Sequence, residues 1–122
     1  MGFKQRDLNS FKTDAPFLRG SQGVEYTDGN VVFDQSEAAA ESEVLKAGTA
    51  IYFDDATKTY KKVKADTADI KGGALVANDT VIYNDENVLV PAIRKASVIE
   101  QRTHGVTQAF KDAVKSRIDF DI

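Results

Sequence analysis

The sequence predicts a small, mainly β, barrel-like domain with one short C-terminal helix and an extended N-terminal arm. Three observations carry that prediction. Between Thr49 and Ile93, short runs of strand-forming residues are separated by brief polar turns. The 122 residues suffice for one modest core and an appendage, and the absence of cysteine leaves only non-covalent packing to hold them. The opening stretch, MGFKQRDLNSFKTDAPFLRGSQG, places Phe3, Phe11 and Phe17 in a segment with neither a helical nor a strand period.

Charge divides the chain. Residues 1–23 are mildly basic, whereas residues 25–43 hold six acids and no Lys or Arg. We therefore expect residues 1–43 to form the arm and residues 44–122 the compact β-rich domain. Within the arm, VEYTDGNVVF sets Asp28-Gly29 between two apolar runs, the local code for a hairpin pairing Val24–Tyr26 with Val31–Phe33. SEAAAESEVLKAG follows, with Ser36 as an N-cap, helix-favouring alanines and Gly48 as a stop, although Ala-rich acidic segments also serve as linkers.

From Thr49 the period is two: Thr49, Ile51 and Phe53 on one face, Ala50 and Tyr52 on the other, so both faces are expected to be covered. DDATKT is a turn, and YKKVKA, GGALVAND, TVIYND and NVLVPAI supply four more strands. Pro91 has no N–H to donate, which puts the last of these at an edge or at a bulge. Thr107 then caps a short helix, QAFKDAVKS, whose stripe is Phe110, Ala113 and Val114. RIDFDI alternates Ile118, Phe120 and Ile122 against charged residues and reads as a terminal strand with one buried face.

Chemistry is sparse. His104 is the only histidine and has no HxH or HExxH spacing, so neither a metal nor a cofactor is expected. Asp54 and Asp55 fit a turn, where carboxylates bond nearby backbone N–H groups. Gly72 and Gly73 lack the GxGxxG and GxxxxGK[ST] frames and read as a bulge or a close backbone approach. Lys61, Lys62 and Lys64 are bracketed by acids and read as an outward strand face, and a net charge of −3 argues against nucleic acid or an anionic membrane as partner. No apolar run suits a signal peptide or a membrane span, so cytoplasmic synthesis is expected. Nothing supplies a nucleophile, base and oxyanion donor together, and the chain is not expected to be an enzyme.

The arm poses a thermodynamic problem. Fixing some twenty backbone units loses more entropy than burying Phe3, Leu8, Phe11, Phe17 and Leu18 returns, so the arm needs a partner surface, or else its rings complete the domain's own core.

From Leu45 to Ile122 the order of parts resembles the phage lambda head decoration protein family. The matching parts are the AGT strand, a hairpin into the strand with Tyr60 and Val63, GGALVAND, NVLVPAI, TQAFKDAVKS and RIDFDI. The resemblance implies a β-tulip fold and a homotrimer on the outer surface of an icosahedral virion head. It also implies a major capsid protein of HK97-type fold as partner and a role in stabilising the capsid against DNA pressure. On that reading Phe3, Leu8, Phe11, Phe17, Leu18, Tyr26 and Phe33 are the capsid-binding arm residues, and Tyr52, Val90 and Ile93 are candidates for the trimer interface. The arm here is longer than the lambda type. The alternative is a displayed virion module, a head-fibre base or carbohydrate-binding domain, with Tyr52, Tyr60 and Tyr83 as its aromatic platform.

Overall fold

A computed structural model describes residues 17–18, 24–27 and 30–121. The fold is mainly β with one short helix, as expected. In chain order the strands are β1 (Glu25–Tyr26), β2 (Val31–Phe33), β3 (Ser42–Leu45), β4 (Ala50–Asp54), β5 (Thr59–Lys62), β6 (Lys71–Val76), β7 (Thr80–Tyr83), β8 (Val88–Val90), β9 (Ala92–Ile99) and β10 (Ile118–Asp121), with helix α1 (Gln108–Val114) before the last.

Among the described residues eight strands form one curled sheet in the order β10-β9-β6-β4-β5-β2-β8, with β1 also on β9. Strands β3 and β7 make a separate two-stranded ribbon. The centre is antiparallel, with Phe53 opposite Tyr60 and Ile51 opposite Ala74. Two pairings are parallel, β2 with β5 and β9 with β10.

Alternation explains why the curled sheet holds two cores rather than one. Successive side chains of β6 point to opposite faces. Ala74 and Val76 therefore join Phe33, Leu45, Ile51, Ile82 and Val90 on one side, while Leu75 joins Ile93, Val98, Phe110, Val114 and Ile118 on the other. The ribbon β3–β7 covers the first core, and α1 with β10 covers the second. Both faces of β4 are covered, Ala50 and Ile51 being fully buried on opposite sides.

Helix α1 begins as its sequence predicts: the Phe110 N–H donates to the Thr107 hydroxyl at 3.2 Å. Phe110 and Val114 are buried, but Ala113 of the predicted stripe is exposed. The helix sits directly on Gly73, where an added Cβ would stand 2.6 Å from Val114 Cγ1 and 3.1 Å from the Phe110 ring. That is the close backbone approach the paired glycines predicted.

Several expectations are corrected. Val24–Tyr26 and Val31–Phe33 do not pair with each other: β1 lies on β9, with Tyr26 opposite Ile93, and β2 lies between β5 and β8. Asp28 and Gly29 themselves lie outside the described residues. The alanine-rich segment forms no α-helix. A 3-10 turn at Gln35–Glu37, capped by Asp34 rather than Ser36, leads into strand β3. The alanines at 38–40 lie between the two, in neither a helix nor a strand, and the end of the segment, Ser42–Leu45, pairs with Thr80–Tyr83 in a ladder of four residue pairs.

The boundary at residue 44 cuts through paired strands, since β1, β2 and Phe17 belong to the sheet and core that follow. Strand β9 also runs on past Ile93 for six residues that the sequence reading left out. Its alternation is hidden by a register irregularity between Ile93 and Lys95, which puts Arg94 and Lys95 consecutively at the surface. Pro91 behaves as expected, for β8 before it is an edge strand.

Candidate interaction surfaces

His104, Asp54, Asp55 and the basic run at Lys61–Lys64 take structural roles. His104 is exposed, and its backbone bridges to Thr49. Asp54 accepts from the Ala56 N–H at 3.0 Å and pairs with Lys61 at 2.9 Å, and the Lys61 contact is the main reason its carboxyl titrates below the usual range. Asp55 is likewise lowered by Lys71, 2.6 Å away. Each lysine of the basic run meets a carboxylate: Lys61 on Asp54, Lys62 on Glu43 at 3.2 Å, Lys64 on Glu37 at 3.1 Å. Among the described residues no group of three or more His, Asp or Glu is placed to hold a metal ion, and no helix is long and apolar enough to cross a membrane.

Two surfaces stand out among the described residues. The first is apolar and faces outward. In the ribbon β3–β7, Leu45 and Ile82 point into the core, so Val44 and Val81, directly opposite each other, point away from it. Tyr83 shares their face by period. In β2–β8 the same rule buries Val31 and Val90 and turns the cross-strand pair Val32 and Leu89 outward. Val44 is 50% exposed and Leu89 60%, whereas outward positions of a one-sided ribbon are ordinarily polar.

The second is a groove of about 750 Å³ lined by Glu25, Tyr26, Tyr60, Gly72, Arg94 and Arg117 among others. It exists because strands part. Strand β6 is in register with β9 only at Val76–Ala92 and Leu75–Ile93, and the last four residues of β9 pair with β10 instead. Arg117, in the turn between α1 and β10, reaches across the opening and donates from Nη1 to the Arg94 carbonyl at 2.7 Å. The Arg94 guanidinium pairs with Glu25 at 2.7 Å. Neither arginine was a candidate in the sequence, since the opening depends on where two distant strands separate and no local pattern marks it.

The predicted capsid-binding and interface residues divide. Phe3, Leu8 and Phe11 lie outside the described residues. Phe17 is corrected: its ring is fully buried in the domain's own core, and its carbonyl accepts from the Ile99 N–H at 2.7 Å. Leu18 packs partly buried against the same core and bridges to Val98. Phe33 is corrected likewise, being an inner residue of β2. Val90 and Ile93 are wholly buried, so they are withdrawn as interface residues, whereas Tyr52 is half-buried against the core that holds Phe17. Tyr26 is exposed. Of the three tyrosines proposed as a platform, Tyr52 and Tyr60 pack against different cores, and Tyr83 stands on the ribbon.

Comparison with family models, curated proteins and solved structures finds no match for this chain.

Proposed function

We propose that this chain is a bacteriophage capsid decoration protein, binding the outside of the expanded head as a homotrimer and stabilising it against the pressure of packaged DNA. The observation that carries the reading is the pair of outward apolar faces, Val44 with Val81 and Val32 with Leu89, on ribbons whose inner faces are already committed to the core. Such faces suit flat contact with other protein subunits. The order of elements from Leu45 to Ile122, which resembles the lambda decoration family, supports a major capsid protein of HK97-type fold as the partner.

Phe3, Leu8 and Phe11 remain the arm residues proposed to reach the capsid, joined by exposed Tyr26. Val44, Val81, Val32 and Leu89 take the place of Val90 and Ile93 as interface residues. The mechanism is mechanical: several modest contacts per trimer, linked through one body, hold neighbouring capsid subunits together by raised effective concentration.

The test is to mix purified protein with expanded, undecorated heads of HK97-type capsid protein and measure co-sedimentation. Two variants serve as probes, one lacking residues 1–16 and one carrying Val44→Lys with Val81→Lys. We expect the wild type to saturate the heads and raise their disruption temperature, with binding reduced at least tenfold in each variant. Equal binding by both variants, or none by the wild type, overturns the reading.

A further inference from the structure

We propose that the groove where β6 and β9 part is a binding site for a carboxylate carried by a partner protein, an Asp or Glu side chain standing beside an apolar residue. The site does not rest on the capsid reading, although Tyr26, assigned there to the arm, also lines it. Its floor is the backbone of β6 at Gly72 and Gly73, and Gly72 carries no side chain toward Tyr60, whereas Gly73 is covered on its other face by α1. Arg117 is the anchor. Its guanidinium is half-buried, lies over the Arg94 backbone, and among the described residues meets no carboxylate at ion-pair distance.

Glu25 cannot serve it, because that one carboxylate is already shared between Arg94 at 2.7 Å and Lys95 at 3.7 Å. Burial, and then the neighbouring charge of Arg94, push the Arg117 guanidinium below its ordinary pKa, so its charged form has an unmet need for an anion. A carboxylate matches a guanidinium fork with two parallel hydrogen bonds, which a point cation would not offer.

Two further features narrow the ligand. Tyr26, Tyr60 and Val31 line the same groove and offer apolar surface next to the cation, so the residue beside the carboxylate should be apolar. Glu25 stands on the groove wall and would repel a dense polyanion, and the whole chain carries a net charge of −3. A single carboxylate on a peptide fits this charge arrangement, and a nucleic-acid backbone does not.

The full chain, labelled for NMR, is titrated with the capped dipeptide acetyl-Glu-Leu-amide, with acetyl-Gln-Leu-amide and with inorganic phosphate. We expect the acidic peptide alone to move the Gly72 and Gly73 amide signals and the Arg117 side-chain signal saturably at millimolar concentration. Arg117→Gln should weaken binding about tenfold and Arg117→Lys less. Glu25→Gln, which removes a like charge from the groove wall, should strengthen it severalfold and provides a readout if Arg117→Gln does not fold. No saturable shift, an equal response to the glutamine peptide, phosphate binding as well as the peptide, or unchanged affinity in Glu25→Gln overturns the proposal.

Discussion

Asp34 shows how one carboxylate ties segments that are distant in sequence. Its Oδ1 accepts from the Ser36 N–H and its Oδ2 from the Thr59 hydroxyl, both at 2.8 Å, so the turn after β2 is fastened to the start of β5. Hydrogen bonds from Ser36, backbone first, outweigh the effect of burial, and with smaller help from Thr59 and Lys61 they hold this carboxyl at about 2, against an ordinary 3.8. A lowered folded-state pKa contributes stability that is complete above the unfolded value and is lost as pH falls toward the folded one. Unfolding free energy should therefore drop between about pH 4 and pH 2 by on the order of 1 kcal/mol from this group, solvent nearby reducing the full linkage value. Urea titrations across that range should show the drop in the wild type and a smaller one in Asp34→Asn, which should also be less stable at pH 7. An unchanged pH profile in the variant would remove Asp34 from this role.

At the scale of elements, the contact of α1 with β6 is the tightest demand the fold makes on one residue type. A helix of seven residues has little stability of its own and depends on what it packs against. Here it packs against Gly73, where the Cβ of any other residue would collide with Val114 and Phe110. Gly73→Ala should destabilise the protein by about 1–3 kcal/mol through overpacking. Pairing it with Val114→Ala should recover part of that loss, since the second change removes the methyl that is struck. A double-mutant cycle by chemical denaturation measures the coupling, and simple additivity would count against a direct clash. The glycines were legible in the sequence as a close approach, but the helix that approaches was not, because α1 and β6 are brought together only by the second core.

For the molecule as a whole, early and late described segments both pack along β9. Phe17 and Leu18 run beside β9 at Val98 and Ile99, β1 joins β9 at Ile93 and Lys95, and β10 pairs with Ala96 to Ile99. Phe17→Ala should then cost about 3–5 kcal/mol, as for any fully buried ring. Leu89→Ala, at a 60% exposed position, should stay within about 0.5 kcal/mol. Denaturation midpoints for the two variants check this, and a mild effect at Phe17 would mean that its ring is not part of the core. The sequence alone determined what is settled within a few residues: the mainly β class, the turn at Asp54-Asp55, the Thr107 cap, the two-sided burial of Ala50–Ile51 and the edge before Pro91. Those features follow from backbone φ preferences, hydrogen bonding by nearby side chains and the period of two. Tertiary structure alone decided which strand takes which partner. It sent β1 to β9 and β2 to β8 despite the Asp28-Gly29 hairpin code, drew the end of an alanine-rich segment, Ser42–Leu45, into a ribbon, and placed Phe17 in the core and Arg117 over a groove. Each of those outcomes depends on ladders and packing between residues tens of positions apart, and such pairings compete on total buried area and shared hydrogen bonds that no short stretch of sequence contains.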